Sequence, residues 1–245
     1  MKRLATLTWF EVEQYVRHKP AVILPVGSIE QHGPLLPLET DLIIAEEVSL
    51  QVAERLGILI APSISYATSL EHSRFPGTIS INPQILIDTI TEVGRSLKSS
   101  GFNYLFIING HAGNSGALDV ASRILKKEQD LVTYVFNLQE MLGGIAREMN
   151  ILSDIREHAG VVETSIMKFL NKIKETTDIE VFLKKTPKSY SASGIMYGWM
   201  IDEYSETGVI GEVSKADEKI GQQLLERAVG IICSVIDEVL NPNQR

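Results

Sequence analysis

Two short and fully apolar runs constrain the fold of this chain more than any other feature. Ala21–Val26 (AVILPV) and residues 104–108 (YLFII) have the length of β-strands but no alternation of polar and apolar residues. Strands of this kind are buried on both faces, as in a parallel sheet that helices cover on each side. Each run ends at a cluster of glycine, histidine and other polar residues, where an extended chain turns. We therefore expect polar clusters at the carboxyl ends of parallel strands.

Segments with helical periodicity alternate with these apolar runs. Thr8 and Glu11 have the spacing of a capping box and predict a helix directly after them. Thr40 is the expected N-cap of the next helix. Further helices are predicted from Pro83, over 115–127, from Val161 and over 216–240, and further strands over 58–63 and 132–136. The alternation predicts a three-layer α/β/α fold with a mostly parallel central sheet, and we expect residues 1–245 to form a single domain.

Composition narrows the class of protein. The 245 residues carry 23 Lys and Arg against 31 Asp and Glu, and the formal net charge of −8 argues against a nucleic-acid or membrane-surface binder. Cys233 is the single cysteine, which excludes an internal disulfide and a thiolate metal cluster. No apolar run approaches the length of a membrane helix, and no signal-peptide core follows Met1. We expect a cytoplasmic protein that binds no nucleic acid and no membrane.

Four candidate metal ligands follow the two apolar runs. Glu30 and His32 come just after the first run, and residues two apart in an extended segment project to the same side. Asp41 lies at the start of the next helix and can bridge two ions, although it can also simply stabilise the helix N-terminus. His111 follows the second run, beside Gly110. If the two strands are neighbours, these ligands converge on one crevice, and imidazole with carboxylate suits Zn²⁺, Mn²⁺ or Fe²⁺.

The glycines around His111 have two interpretations. Gly110 and Gly113 would let the backbone approach a ligand closely, but a glycine-rich segment of this kind is also typical of a surface turn.

Two further segments carry candidate functional side chains. His158 and Glu163 lie at the start of a predicted helix, and a histidine beside a metal site can give a proton to a leaving nitrogen. Glu163 can ligate a metal or can simply stabilise the helix N-terminus. Glu71 and His72 lie in a loop between strand-like runs.

Together these segments resemble the creatininase family, the metal-dependent amidohydrolases related to creatinine amidohydrolase. VGSIEQHGPLLPLETD (residues 26–41) is similar to the first metal motif of the family, NGHAGN (109–114) to the second and HAGVVETS (158–165) to the third. EHSRFPGT (71–78) is similar to the substrate-side loop. The order and spacing of the four motifs cover most of the chain.

The resemblance implies a role for each candidate residue. Glu30, Asp41 and His111 would hold one metal ion, and His32 and Asp41 would contribute to a second. In creatinine-hydrolysing members a glutamate two residues after the second-motif histidine ligates the second ion, and here that position is Gly113. Glu163 either supplies this carboxylate or orients a ligand or water. His158 matches the catalytic histidine, which Glu163 would assist. The implied substrate-binding residues are Glu71, His72, Gly110, Gly113 and Asn114.

The implied activity is the hydrolysis of a C–N amide bond, in a cyclic amide or formamide of a small molecule, by water that divalent metal activates. Two ions per chain are expected, as Zn, Mn or Fe. Creatinine-hydrolysing members carry tryptophans between the second and third motifs, whereas this chain has only Trp9 and Trp199. Creatinine itself is therefore disfavoured. A formylamino-pyrimidine nucleotide deformylase and a mycofactocin-type peptidase are the alternatives, and the family implies a homo-oligomer such as a hexamer.

Two other classes of protein stay open. One is a non-hydrolytic Fe²⁺ enzyme in which His32, His111 and a carboxylate form a facial triad. The other is a metal-binding scaffold without catalytic activity. Residues 168–193 are rich in lysine and predict a surface excursion, either a lid, a subunit contact or a solvated loop, and the lysines at 184, 185 and 188 could attract an anionic substrate.

Overall fold

The computed structural model describes residues 3–152, 157–174 and 198–242. Helices and strands alternate through the first of these ranges, and two further helices follow. In chain order the elements are α1 (Trp9–His18), β1 (Ala21–Val26), α2 (Thr40–Leu56), β2 (Leu59–Ile60), α3 (Pro83–Ser99), β3 (Tyr104–Asn109), α4 (Ser115–Gln129), β4 (Val132–Asn137), α5 (Leu138–Glu148), α6 (Val161–Phe169) and α7 (Glu218–Leu240).

The described strands form one parallel sheet in the order β2-β1-β3-β4. β1 and β3 are central and in register, with Ala21 opposite Tyr104 and Val26 opposite Asn109. From β1 the chain moves outward to β2 and then crosses back to β3, so the direction of the crossovers reverses between the two central strands. In open α/β sheets a ligand crevice lies at such a reversal, beyond the carboxyl ends of the strands.

Helices cover both faces of the sheet. Ile23, Phe106 and Ile108 point to one face and pack in a core with α2, α5, α6 and α7. Leu24 and Leu105 point to the opposite face, where α3 and α4 complete a second core. These two cores confirm the predicted three-layer α/β/α fold, and they explain why β1 and β3 contain no polar face.

Several element predictions are confirmed and two are wrong. The Thr8 hydroxyl accepts from the Glu11 amide while the Glu11 carboxylate accepts from the Thr8 amide, which is the predicted capping box. Thr40 does not cap α2, because its hydroxyl donates to the carbonyl of Pro37 at 2.6 Å and the helix begins at Thr40 itself. The strand predicted over 58–63 is reduced to β2, beyond which a single bridge joins Ile64 to Val26.

Only part of the lysine-rich segment lies among the described residues. Lys168 belongs to α6 and donates to the carbonyl of Ala216 at 2.7 Å, so the predicted excursion begins later than expected. Residues 175–193, which include Lys184, Lys185 and Lys188, lie outside the described residues. No helix in the described part of the chain is both long and apolar enough to cross a membrane.

Candidate metal centre

The candidate ligands meet at the carboxyl ends of β1 and β3. The segment after β1 passes so close to α2 that a Cβ atom on Gly27 would lie 2.5 Å from the Cα atom of Leu42. Likewise, a Cβ atom on Gly110 would lie 2.2 Å from the main-chain oxygen of Asp41. Glycine at these two positions lets the first turn of α2 approach the ends of both central strands. The Ser28 hydroxyl then donates to Asp41 Oδ2 at 2.6 Å and holds that carboxylate in place.

Asp41 lies between two histidines. Its Oδ1 atom is 3.3 Å from His32 Nε2, and its Oδ2 atom is 3.2 Å from His111 Nδ1. His111 Nδ1 is also 3.1 Å from Glu30 Oε2. All four side chains are buried, with at most 4% of any of them exposed. The two oxygens of one carboxylate thus face different imidazoles, the arrangement that a carboxylate bridging two ions requires.

Ligand atoms of these residues form three compact groups, in each of which all atoms lie within 4.8 Å of one another. Two groups share Asp41: one adds Glu30 and His111, and the other adds His32 and Glu163. The third consists of Glu30, His32 and His158.

Glu163 supplies the second carboxylate of the group that contains His32 and Asp41. Its Oε1 atom is 3.9 Å from His32 Nε2. A Cβ atom on Gly113 would lie 2.4 Å from His111 Nε2 and 2.9 Å from the main-chain oxygen of Thr68, so a side chain there would require these groups to shift.

Buried polar atoms without a hydrogen bond indicate whether a metal ion fits this centre. Among the described residues, four buried side-chain atoms make no hydrogen bond, and two of them are Glu30 Oε2 and His32 Nε2. These two have only ion-pair contacts, with His111 Nδ1 at 3.1 Å and Asp41 Oδ1 at 3.3 Å. Buried polar atoms in folded proteins are nearly always hydrogen-bonded, so such atoms need an explanation. A divalent cation among these carboxylate and imidazole groups would satisfy both of them, and the donor types fit Zn²⁺, Mn²⁺ or Fe²⁺.

The outer nitrogens of the two candidate histidine ligands have acceptors. His32 Nδ1 lies 3.2 Å from the main-chain oxygen of Glu30, and His111 Nε2 lies 3.5 Å from Ser69 Oγ. A proton on each outer nitrogen leaves His32 Nε2 and His111 Nδ1 free to bind a cation. Such support from neighbouring groups is typical of metal-binding histidines.

His158 and His72 complete a stack of imidazoles beside the ligands. The ring of His158 lies 4.4 Å from the ring centres of both His32 and His72. Glu30 Oε1 faces this stack, at 3.4 Å from His72 Nε2 and 3.9 Å from His158 Nδ1.

The remaining substrate-side candidates divide between the site and its support. The Glu71 side chain is 27% exposed, and its Oε1 atom lies 3.8 Å from His111 Nε2. Asn114 is fully buried, and its amide group binds Thr68 N, Gly27 O and Asn109 Oδ1. The structure therefore brings Glu71 and His72 to the ligand cluster, whereas the Asn114 side chain joins the loops beneath it.

Electrostatics at the centre favour positive charge. Burial lowers the pKa of His32, but the carboxylates of Asp41, Glu163 and Glu30 outweigh burial and raise that pKa to about 10. The pKa of His111 is raised well above its usual range for the same reason. Burial and the neighbouring His32 lower the pKa of His158 to about 4, so this imidazole is neutral at physiological pH. The carboxylates thus attract cations, whether protons or metal ions.

Sequence reasoning missed Gln31. Because Gln31 alternates with Glu30 and His32, its side chain is expected to point away from the ligands. Instead, its Nε2 atom lies 2.9 Å from His72 Nδ1 and 3.0 Å from His158 Nε2. The sequence feature that could have indicated this contact with the histidines is the position of Gln31 between two candidate ligands.

Comparison with known proteins identifies the family of this chain. The sequence profile of the creatininase family, described as creatinine amidohydrolase, matches residues 5–236. The mycofactocin precursor peptide peptidase of Mycobacterium tuberculosis is 34% identical over 86% of this chain and 82% of its own length. The creatinine amidohydrolase of Pseudomonas putida is 28% identical over 96% of both chains.

Solved structures of creatininase have the same fold. A crystal structure of creatinine amidohydrolase superposes with a TM-score of 0.83 at 25% identity and covers 96% of both chains. A creatininase variant described as Zn-Zn type superposes with a TM-score of 0.79 at 26% identity, covering 97% of this chain and 98% of the other. The family profile, the relatives and the fold agree with the four motifs, and this chain belongs to the creatininase family of hydrolases.

Proposed function

We propose that this chain is a metal-dependent amide hydrolase that holds two divalent ions, as Zn, Mn or Fe, with Asp41 between them. The observation that carries the proposal is the position of the Asp41 carboxylate, one oxygen toward His32 and the other toward His111. We assign one ion to Glu30, Asp41 and His111 and the other to His32, Asp41 and Glu163. Residues 1–245 act as one domain in this proposal.

The side chains divide the remaining work of amide cleavage. The bound ions would supply a water of lowered pKa and polarise the amide carbonyl. His158 is neutral and turns Nδ1 toward the ligand cluster, so we expect it to take a proton from the attacking water at Nδ1 and to pass that proton to the departing nitrogen. Glu71 and His72 would orient the substrate, and Gly110 and Gly113 would let the main chain approach it. Glu163 would assist as a ligand.

We propose a small-molecule amide as substrate, with a cyclic amide or formamide as the first candidate. Creatinine itself is disfavoured by the positions of the two tryptophans: Trp9 lies on α1 with 78% of its surface exposed, and Trp199 packs against Tyr204. A formylamino-pyrimidine nucleotide is the deformylase-type alternative.

A peptide amide is the second candidate, and a specific observation favours it. Four mycofactocin precursor peptide peptidases are 32% to 34% identical to this chain, against 28% for creatinine amidohydrolase. A peptide, a cyclic amide and a formamide are competing substrate candidates, because hydrolysis of each of them breaks a C–N amide bond.

A substrate panel tests the proposal. Protein reconstituted with Zn²⁺, Mn²⁺ or Fe²⁺ is incubated with creatinine, a formylamino-pyrimidine nucleotide and short peptides, and released ammonia, formate and amines are measured. We expect turnover of one class, abolished by Asp41→Asn and retained by Asp119→Asn, a matched change on the exposed surface of α4.

The same panel separates the rival functions. A folded protein that binds no ion would favour the non-catalytic scaffold, and oxygen consumption with Fe²⁺ would favour the facial-triad enzyme. Two bound ions without turnover of any class would still favour a hydrolase, one with a substrate outside the panel. We also propose a homo-oligomer, for example a hexamer, and light scattering in solution measures its mass.

A further inference from the structure

The side chain of Gln31 connects the histidine stack to two surrounding loops. It is buried, with 5% of its surface exposed. Its amide nitrogen lies 2.9 Å from His72 Nδ1, 3.0 Å from His158 Nε2 and 3.2 Å from the main-chain oxygen of Gly208. Its amide oxygen accepts from the main-chain nitrogen of Gly33 at 3.0 Å. One amide group therefore contacts two histidines and two main-chain groups.

The main-chain contacts determine which way the amide faces. Gly33 N–H can only donate and the Gly208 carbonyl can only accept. Rotating the amide by half a turn would place its NH₂ group against the Gly33 N–H and its oxygen against the Gly208 carbonyl. The orientation with Nε2 toward His72 and Gly208 is therefore the one that satisfies both main-chain groups.

Counting hydrogens then assigns the tautomers of the two histidines. His158 Nε2 lies 2.8 Å from the main-chain oxygen of Gln31, which only accepts, so Nε2 carries a proton. The amide of Gln31 has two hydrogens, and since His158 Nε2 does not accept one, they go to Gly208 and to His72 Nδ1. The proton of His72 therefore sits on Nε2, which faces Glu30 Oε1 at 3.4 Å.

Gly208 shows how tightly the amide is enclosed. Its φ of +81° lies in the left-handed region, and a Cβ atom would lie 1.7 Å from Gln31 Oε1. A side chain at this position would displace the amide.

We infer that Gln31 is a positioning residue, which sets the tautomer of His72 through its side chain and that of His158 through its main-chain carbonyl. His158 then keeps Nδ1 unprotonated on the side of the ligand cluster. The Nε2–H of His72 then faces Glu30 Oε1 at 3.4 Å, and Glu30 Oε2 is left for a cation. The importance of these tautomers for catalysis rests on the proposed function, but the tautomers themselves are properties of the folded chain.

The test is nitrogen NMR of the imidazoles, in zinc-loaded and metal-free protein labelled with ¹⁵N-histidine. The chain has five histidines, so single substitutions assign the signals. We expect the wild-type protein to carry Nε2–H on both His72 and His158. A proton on Nδ1 of either ring in the wild type would overturn the inference, and this result requires no variant to fold.

Gln31→Glu then tests the cause. A carboxylate only accepts, so we expect Nδ1 of His72 to carry a proton in this variant, whereas His158, which the main chain holds, keeps Nε2–H. We expect kcat to fall about tenfold or more, with KM changed much less, as for loss of a group that supports a metal site. Gln84→Glu makes the same chemical change on the exposed side of α3 and should alter neither the tautomers nor kcat.

The outcomes separate this inference from the proposed function. An unchanged His72 tautomer in Gln31→Glu would overturn the inference, whatever the activity does. If Gln31→Glu does not fold, the spectra of the wild-type protein decide, because a proton on Nδ1 of either ring there would overturn the inference. Tautomers as expected in a protein that hydrolyses no amide would support the inference while contradicting the proposed function.

Discussion

Glu163 has two possible roles: it can be a ligand of a second metal ion, or it can simply stabilise the N-terminus of a helix. It lies in the first turn of α6, where a carboxylate is favourable in any case, and its Oε1 atom also faces His32 Nε2 at 3.9 Å. We expect Glu163→Gln to reduce the bound metal from two ions to one per chain and to lower activity about 10- to 100-fold. Elemental analysis after dialysis measures the stoichiometry.

Glu218→Gln provides the matched control, because Glu218 occupies the first turn of α7 and is exposed. It should retain two ions. If both variants lose metal equally, or neither does, Glu163 is not a ligand.

Proton competition at His32 and His111 predicts a pH dependence of metal binding. Without ions, the surrounding carboxylates raise the pKa of His32 to about 10 and that of His111 well above its usual range, so both rings are protonated at neutral pH. A metal binds only the neutral ring, so each ion must displace protons. We therefore expect affinity to rise from about pH 6 to pH 8, up to about tenfold per pH unit for each proton displaced.

Calorimetric titration with Zn²⁺ in buffers of different ionisation enthalpy measures both the affinity and the protons released. A dissociation constant that does not vary with pH, with no proton release, would contradict this account of the centre.

Among the elements, the contact between α2 and the end of β3 is a requirement of the site. A Cβ atom at position 110 would lie 2.2 Å from the main-chain oxygen of Asp41, and a main-chain atom in the first turn of a helix has little freedom to move. We expect Gly110→Ala to displace α2 from β3, to lower the melting temperature and to abolish binding of both ions.

Gly116→Ala, on α4, is the control for this change, since nothing lies within 4 Å of the position that its Cβ would take. Because alanine favours a helix over glycine by about 1 kcal/mol, this variant should be at least as stable as the wild type, with full metal content. Thermal denaturation and elemental analysis of the two proteins provide the comparison, and full metal content in Gly110→Ala would refute the prediction.

A second contact between elements lies far from the site. The hydroxyl of Tyr15 on α1 donates to the carbonyl of Ala21 at 2.9 Å and accepts from the amide of Leu59 at 3.1 Å, which ties α1 to β1 and to the edge strand β2. Tyr15→Phe leaves both main-chain groups without this partner. We expect the free energy of unfolding in urea to fall by about 1–3 kcal/mol, with metal content unchanged. Tyr134→Phe on β4 is the control, and equal losses in the two variants would refute the role of this hydroxyl.

For the whole molecule, metal binding and stability should be linked. The proposed ligands come from the loop after β1, from α2, from the turn after β3 and from α6, so the centre exists only in the folded chain. Ions that bind the folded state alone stabilise it. We expect chelation to lower the melting temperature of the wild type, and added Zn²⁺ to restore it.

Asp41→Asn should make the melting temperature insensitive to chelator, because Asp41 belongs to both proposed ion sites. Differential scanning fluorimetry with and without EDTA provides the measurement. A variant that responds to chelator as the wild type does would show that the stabilising ions bind elsewhere.

The sequence alone is sufficient to predict the three layers, the two central strands and the candidate ligands. Ala21–Val26 and YLFII are apolar throughout, so these strands must be buried on both faces. Such strands occur in a parallel sheet that helices cover on each side. Glu30, His32, Asp41 and His111 follow from the rule that ligands gather at the carboxyl ends of such strands. The family could also be predicted, because each of the four motifs is a short continuous stretch of the sequence.

Three features required the tertiary structure: the proximity of Glu163 to His32, the inward turn of the Gln31 side chain, and the burial of Asn114. Each depends on how segments distant in the sequence are brought together by sheet order and helix packing. Periodicity and motif spacing indicate the face of a helix or strand on which a residue lies, but not which distant residues it contacts. Only the packed chain brings α6 and the Gly208 loop against the end of β1, and hence selects the partners of each side chain.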